Sequence, residues 1–182
     1  MDNSTENVSL LAIFILDILN ELDKRQIDKT EILMFCNDYD ISIPYNSVPI
    51  DVYNQMCYWI EENLGDEVLI SIGRSIGETI FAALLENKIV VDESSPKETM
   101  EGLMIAASSM IQDEKDRGWE MVIAENDFLQ MRRTQTFNSK LQIGLLKGLI
   151  EKCENVKEVE VGYVKEVAKG DAYDEYLITW KK

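Results

Sequence analysis

The sequence predicts an α+β fold in which an antiparallel four-stranded sheet packs against helices. The first half of the 182-residue chain repeats apolar residues at helical spacing, and the second half has four alternating segments around one apolar helix. The second half therefore has the order β-β-α-β-β, which favours antiparallel hairpins. We predict an N-terminal helical region over residues 1–64 and an α+β domain over residues 65–182, or one compact unit containing both.

The N-terminal half begins with an apolar run that we interpret as a buried helix over Val8–Lys24. Its uninterrupted apolar part, Leu10–Leu16, is far shorter than the ~20 residues of a membrane span. Asp17 interrupts the run and is the one acid that lies within an apolar pattern. No membrane span is expected here. Further helices are predicted at about 50–64, 68–86 and 97–117, the last entered through Ser95-Pro96.

The sequence pattern of the second half predicts two hairpins and a helix between them. Trp119–Ala124 and Phe128–Thr136 alternate around an Asn126-Asp127 turn, which is typical of a hairpin. The helix is expected over residues 138–153, and Asn138 or Ser139 is a candidate for its N-cap. A second pair of strands, Val156–Val167 and Tyr173–Trp180, is predicted around Lys169-Gly170-Asp171.

The helix between the hairpins carries Gly144 and Gly148 on one face. Each glycine costs about 0.5–1 kcal/mol relative to alanine, so something is expected to approach this face closely. The sheet, another helix or a ligand could make this approach. The first interpretation is tight packing of the helix on the sheet, and the second is a ligand or subunit against the bare face. Gly73 and Gly77 share the spacing and are interpreted as helix packing.

Composition argues against several classes of function. A net charge of −16 disfavours binding to nucleic acid, which requires clustered lysine and arginine. The chain has no histidine and no motif of a hydrolase or nucleotide-binding loop, so we predict that it is not an enzyme. Three separate cysteines without a CxxC pair predict buried thiols in a reducing cytoplasm and no metal site.

The order MRRTQTFNSKLQIGLLKGLIEKC, a strand, then KGDAYDEYLITW resembles a ligand-binding superfamily seen in nitric-oxide signalling and Golgi transport. Its members include vinyl-reductase-type sensor domains, haem–nitric-oxide-binding domains and TRAPP vesicle-tethering subunits. The resemblance covers about residues 65–182. It rests on residues at comparable places in vinyl-reductase-type sequences, namely Gly144, Gly148, Gly170-Asp171 and Trp180.

This resemblance implies the fold, a tendency to form homodimers and an apolar pocket for a small or lipid-like ligand. The chain departs from the zinc-binding members, because only Cys153 stands near the last helix and hairpin. It also departs from the haem members, because it lacks both their axial histidine and their Tyr-x-Ser-x-Arg set. We therefore expect no cofactor.

We predict a non-enzymatic sensor or adaptor that binds a small apolar or amphipathic molecule and signals through a partner protein. The alternative is a ligand-free scaffold or tethering module. Methionines on the long helix and first hairpin fill the core or line an adaptable pocket, and Arg132 or Arg133 could point to the start of the glycine helix, where anions bind. The candidate ligand-binding residues are Met104, Met121, Arg132, Arg133, Phe137, Gly144, Leu145 and Gly148.

Overall fold

Two antiparallel sheets and a set of helices share one apolar core in the computed structural model, which describes residues 5–182. The helices are α1 (Ile13–Lys24), α2 (Thr30–Leu33), α3 (Ile50–Leu64), α4 (Asp66–Glu86), α5 (Pro96–Met110) and α6 (Ser139–Ile150). The strands are β1 (Val8–Leu11), β2 (Ser47–Pro49), β3 (Ile111–Asp113), β4 (Trp119–Ala124), β5 (Phe128–Arg133), β6 (Lys157–Lys165) and β7 (Asp174–Lys181).

The larger sheet confirms the predicted α+β architecture. Its strand order is β4-β5-β7-β6, and all three pairings are antiparallel. The two hairpins meet along β5 and β7, where Met131 pairs with Tyr176. Leu129, Met131 and Ile178 are fully buried, so one face of this sheet forms part of the core.

The predicted helix over Val8–Lys24 is wrong at its start, because Val8–Leu11 is a strand. It lies in the middle of a three-stranded sheet, between β2 and β3. Val8 and Leu10 are buried, while Ser9 and Leu11 are partly exposed. A short apolar run does not distinguish a buried strand from a buried helix by periodicity alone, and here the pairing with distant strands decides the conformation.

The predicted helix over residues 97–117 also ends earlier, at Met110. The backbone becomes extended at Ile111, which pairs with Leu10 of β1. The N-terminal segment is thereby joined to the segment beyond residue 65 by strand pairing. The start of this helix is as expected, since Ser95 and Glu98 form a capping box with proline at the first helical position.

The glycines of α6 lie against the backbone of α4. A Cβ on Gly144 would lie closer than 3.0 Å to backbone atoms of Ile70 and Arg74, and one on Gly148 would collide with the Arg74 carbonyl. Gly73 and Gly77 approach the backbone of α6 equally closely. The close approach that the glycines predicted is therefore made by a helix backbone, and no ligand can occupy that face.

By length and composition, α4 is the one helix among residues 5–182 that could cross a membrane. Core helices of ordinary globular proteins pass the same test. In this fold α4 is packed along the glycine face of α6, and Leu69 and Ile72 are fully buried.

Candidate functional site

A cavity of about 80 Å³ lies between the helices and the larger sheet, and we call it the central cavity. Five helices and three strands contribute to its wall, and most of the contributing side chains are apolar. The lining residues are Ile13, Phe14, Asp17, Tyr53, Ile76, Ile80, Leu103, Ala106, Ala107, Met110, Ile111, Trp119, Arg133, Phe137, Gln142 and Leu145.

Aromatic rings form one side of the central cavity. Tyr53 of α3 lies between Phe14 and Phe137, with edge contacts at centroid distances of 6.1 Å and 5.6 Å. Trp119 of β4 adds a further ring and itself lies 5.8 Å from Tyr176 of β7. Edge-to-face packing is a favoured arrangement of aromatic rings and stabilises this side of the wall.

Arg133 is the one basic side chain in this wall, and it is only 4% exposed. Buried residues alternate along β5, and Arg133 follows Leu129 and Met131 on the inward face. Its guanidinium carbon lies 4.9 Å from the centre of the Trp119 ring and 4.3 Å from that of Phe137. Both contacts are cation–π interactions, which offset part of the cost of burying the charge.

The hydrogen bonding of Arg133 is incomplete. Its Nη2 donates to Oε1 of Gln135 at 2.9 Å, while Nε and Nη1 have no hydrogen-bond partner among residues 5–182. Gln135 in turn donates to Asp113 at 3.2 Å, and Asp113 pairs with Arg117 at 2.7 Å. The Asp113 carboxylate is therefore shared with another cation, and its hydrogen bonding reaches Arg133 only through a neutral amide.

Burial lowers the pKa of Arg133 to about 9. Loss of hydration is the main cause, and the neighbouring Tyr176, Tyr53 and Asp113 oppose it. The guanidinium is thus still charged at neutral pH. A buried cation with free N–H groups and no paired carboxylate is unusual, because such a charge loses its hydration without compensation.

Asp17 adds a titratable group to the α1 side of the wall. Burial, reinforced by the nearby Glu21 carboxylate and opposed by Lys24, raises the pKa of Asp17 to about 6. The central cavity therefore has a fixed cation on the side of the sheet and an acid that titrates near neutral pH on the side of α1.

The predicted ligand-binding residues divide into two groups. Arg133, Phe137 and Leu145 line the central cavity. Gly144 and Gly148 are in the contact with α4, and Met104 and Met121 pack against the core without appearing in the cavity wall. The methionine that does line the cavity is Met110.

Arg132 lies on the opposite face of β5 from Arg133. It donates to Glu175 at 2.8 Å and to Glu120 at 3.1 Å, so it is held on the outer surface of the sheet. The alternation of a strand sends neighbouring side chains to opposite faces, and the two arginines therefore do not form a joint site.

The start of α6 is capped rather than open to an anion. The side-chain oxygen of Asn138 accepts from the amides of Lys140 and Leu141 at 3.0 and 3.2 Å. Its side-chain nitrogen donates to Glu61 at 2.7 Å, which places an acid at this helix end. The start of α6 is therefore a capped helix end and not an anion site.

Sequence reasoning missed most of the cavity wall. Tyr53, Trp119 and Leu103 carry no local signal, because only the tertiary fold brings α3, β4 and α5 together. Asp17 did carry a signal, since an acid within an apolar run requires an unusual environment.

No protein-family model matches this chain, and no curated protein matches it. Solved structures do match over nearly the whole length. An H-NOX (haem–nitric-oxide-binding) protein from S. oneidensis in the Fe(II)NO state is 11% identical with a TM-score of 0.72, covering 95% of this chain and 100% of that one. The unliganded Fe(II) H-NOX protein from K. algicida is 10% identical with a TM-score of 0.66, covering 95% and 97%.

A further H-NOX structure, from work on haem distortion in that family, is 15% identical with a TM-score of 0.68 and covers 95% of this chain and 96% of that one. At such identities the likeness shows the fold alone. The vinyl-reductase and TRAPP parts of the sequence resemblance remain predictions.

The residues of the central cavity do not fit a haem. The chain has no histidine to bind the iron, and residues 5–182 contain no group of three or more acids, cysteines or histidines that could hold a metal ion. Tyr53 is an unsuitable ligand, because burial raises its pKa well above the usual value and disfavours the phenolate. The cavity of about 80 Å³ is also smaller than the roughly 300–1,000 Å³ of ordinary ligand pockets. The chain therefore has the fold of H-NOX domains around a small apolar cavity whose wall is not built for haem.

Proposed function

We propose that this protein is a non-enzymatic, haem-independent sensor domain that binds a small apolar or amphipathic molecule in the central cavity. The lining of the cavity carries the proposal, because an apolar wall with aromatic rings and a few polar groups is the composition that ligand sites have. The H-NOX fold supports it further, since the S. oneidensis protein of this fold was solved in an Fe(II)NO state.

The size of the cavity limits its ligand to a few non-hydrogen atoms. An engineered cavity of about 150 Å³ holds benzene, and the central cavity is about half that volume at 80 Å³. The wall formed by α5 is the adaptable one, because Ala106 and Ala107 are small and only partly buried. A somewhat larger ligand is accommodated by movement of this helix end.

The connection from α5 to β3 gives ligand binding a route to the surface. Met110 and Ile111 both line the cavity, and Ile111 begins the strand that pairs with Leu10 of β1. A ligand that moves the end of α5 therefore shifts the three-stranded sheet. We propose that this sheet reports occupancy to a partner protein in the cytoplasm.

The predicted homodimer remains part of the proposal. Val164 and Leu177 are exposed apolar side chains on the larger sheet, and they alternate with Tyr163 and Tyr176, which contact each other on the core side. Sedimentation velocity of the purified chain tests the dimer independently of ligand binding.

The ligand proposal is tested with a variant that fills the cavity. Ala107→Leu places extra apolar volume in the wall, and Ala83→Leu on the exposed face of α4 is the matched control. Native mass spectrometry and melting temperatures with alcohols of three to six carbons measure binding. We expect bound small molecules or ligand-dependent stabilisation in the wild type and the control, and neither in Ala107→Leu. If wild type and both variants respond alike, the ligand-free scaffold is the better description.

A further inference from the structure

We propose that the ligand of the central cavity is a short-chain monocarboxylate whose carboxylate group pairs with Arg133. This inference rests on the function proposed above and names the chemical class of the ligand. It depends on three features of the cavity: the free donors of Arg133, the apolar character of the remaining wall, and the acid at its α1 side.

The free donors are the first feature. Nε and Nη1 of a guanidinium together carry three N–H groups, and on Arg133 these two atoms have no partner among residues 5–182. Gln135 supplies a neutral acceptor to Nη2 only. A carboxylate supplies both acceptor oxygens and the opposite charge, which is the pairing that arginine geometry favours.

The surroundings of the guanidinium strengthen this argument. Trp119 and Phe137 both contact the guanidinium and both line the cavity. The nearby Asp113 is held by Arg117. A bound anion would therefore contact a guanidinium that is not already paired with a carboxylate. The low dielectric of the buried site strengthens that interaction.

The wall selects for a monoanion with a short alkyl tail. Beyond Arg133 the lining is largely apolar, including Phe14, Tyr53 and Leu103. A second negative group would be buried without a partner, and Asp17 on the α1 side would repel it. The volume of about 80 Å³ suits a tail of a few carbons, because a water molecule in the liquid takes about 30 Å³.

The test compares butyrate with butyramide, which has the same shape without the charge. Isothermal titration calorimetry at pH 7.5 on the full chain measures both ligands, and succinate serves as the doubly charged probe. We expect butyrate to bind at least about tenfold more tightly than butyramide, as a charge-assisted hydrogen bond predicts, and succinate to bind more weakly than butyrate.

The variant Arg133→Met removes the cation and keeps an apolar side chain of similar length. It should abolish the preference for butyrate over butyramide, whereas the exposed Arg74→Met should keep it. As a measurement on the wild type, the ¹⁵N NMR signal of the Arg133 Nε–H should shift with butyrate and not with butyramide, whether or not the variant folds.

The outcomes separate the two proposals. Equal binding of butyrate and butyramide, tighter binding of succinate, or an unmoved Arg133 signal overturns the carboxylate inference and leaves the cavity proposal standing. If neither butyrate nor butyramide binds and no alcohol stabilises the chain, both proposals fail.

Discussion

The guanidinium carbon of Arg133 lies 4.3 Å from the centre of the Phe137 ring, inside the protein and next to the central cavity. This contact joins the end of β5 to the residue just before the cap of α6. Two of the three donor nitrogens of Arg133 have no hydrogen-bond partner in the described chain. The folded protein therefore contains a buried guanidinium whose positive charge is not paired directly with a carboxylate.

Replacing Arg133 should cost the ligand-free protein little stability. An unpaired buried charge is expensive, and an apolar residue of similar volume often restores or raises stability. We expect Arg133→Met to unfold in urea within about 1 kcal/mol of the wild type, or to be more stable. Phe137→Ala should lose about 3–5 kcal/mol, because it opens a hole in the core. A large loss for Arg133→Met would show that the guanidinium has a stabilising partner.

Alanine at the glycine contact should be strongly destabilising. The added Cβ of Gly144→Ala would meet backbone atoms of α4, which cannot move as a side chain can. We expect a loss of about 3 kcal/mol or more in urea denaturation, at the upper end of overpacking costs. Gly162→Ala in β6 is the control, since a Cβ there meets no atom within 4 Å. Equal effects of the two substitutions would contradict close packing of α4 against α6.

Asp17 should make stability depend on pH in an unusual direction. Its pKa is about 6 in the folded protein, against the ordinary value of 3.8, so the folded state binds the proton more tightly than the unfolded state. The contribution of Asp17 to the free energy of unfolding is fully present below about pH 4 and is lost as the pH rises through 6. Most native carboxylates act in the opposite sense.

Asp17→Asn should therefore stabilise the protein at pH 8 and not at pH 4. We expect a gain on the order of 1–2 kcal/mol at pH 8, after reducing the full shift for the partial exposure of this side chain. Urea titrations of both proteins at several pH values measure the difference. If the gain in stability were the same at pH 4 and pH 8, a change in packing would be its cause and not the ionisation of Asp17.

Asn138 should stabilise the protein as the N-cap of α6. Its side chain caps α6 and donates to Glu61, and its backbone amide donates to Asn54. We expect Asn138→Ala to lose about 1–2 kcal/mol, the usual cost of a lost cap. Asn138→Asp keeps the acceptor but places a carboxylate against Glu61, so it should also be destabilising, and less so in high salt. A stable Asn138→Asp at low salt would mean that Glu61 does not face the cap.

The sequence predicted the larger sheet well, because its strands carry alternation and turn signals of their own. The alternation of Trp119–Ala124 and the turn at Gly170-Asp171 are local features, and the hairpins follow from them. Val8–Leu11 was misread because its apolar run is also compatible with a helix. Its strand conformation depends on pairing with Val48 and Ile111, which no local pattern indicates.

The cavity was predictable only in part for the same reason. Arg133, Phe137 and Leu145 were found because they flank or belong to the glycine helix. Tyr53 and Trp119 were not, since their place in the wall depends on how distant elements pack. The glycines were correctly identified as a close contact, but the partner is the backbone of α4 at Ile70 and Arg74 and not the sheet. Gly73 and Gly77 make the reciprocal approach to α6, which their spacing in the sequence did not indicate.

The central cavity must be able to hold a molecule if the proposed function is correct. Xenon enters apolar cavities of this kind, so a crystal structure of the wild-type protein under xenon pressure is the most direct measurement. We predict xenon between Leu103 and Phe137 in the wild type, and none there in Ala107→Leu. A wild-type crystal without xenon at that position, with side chains filling the space, would contradict the account.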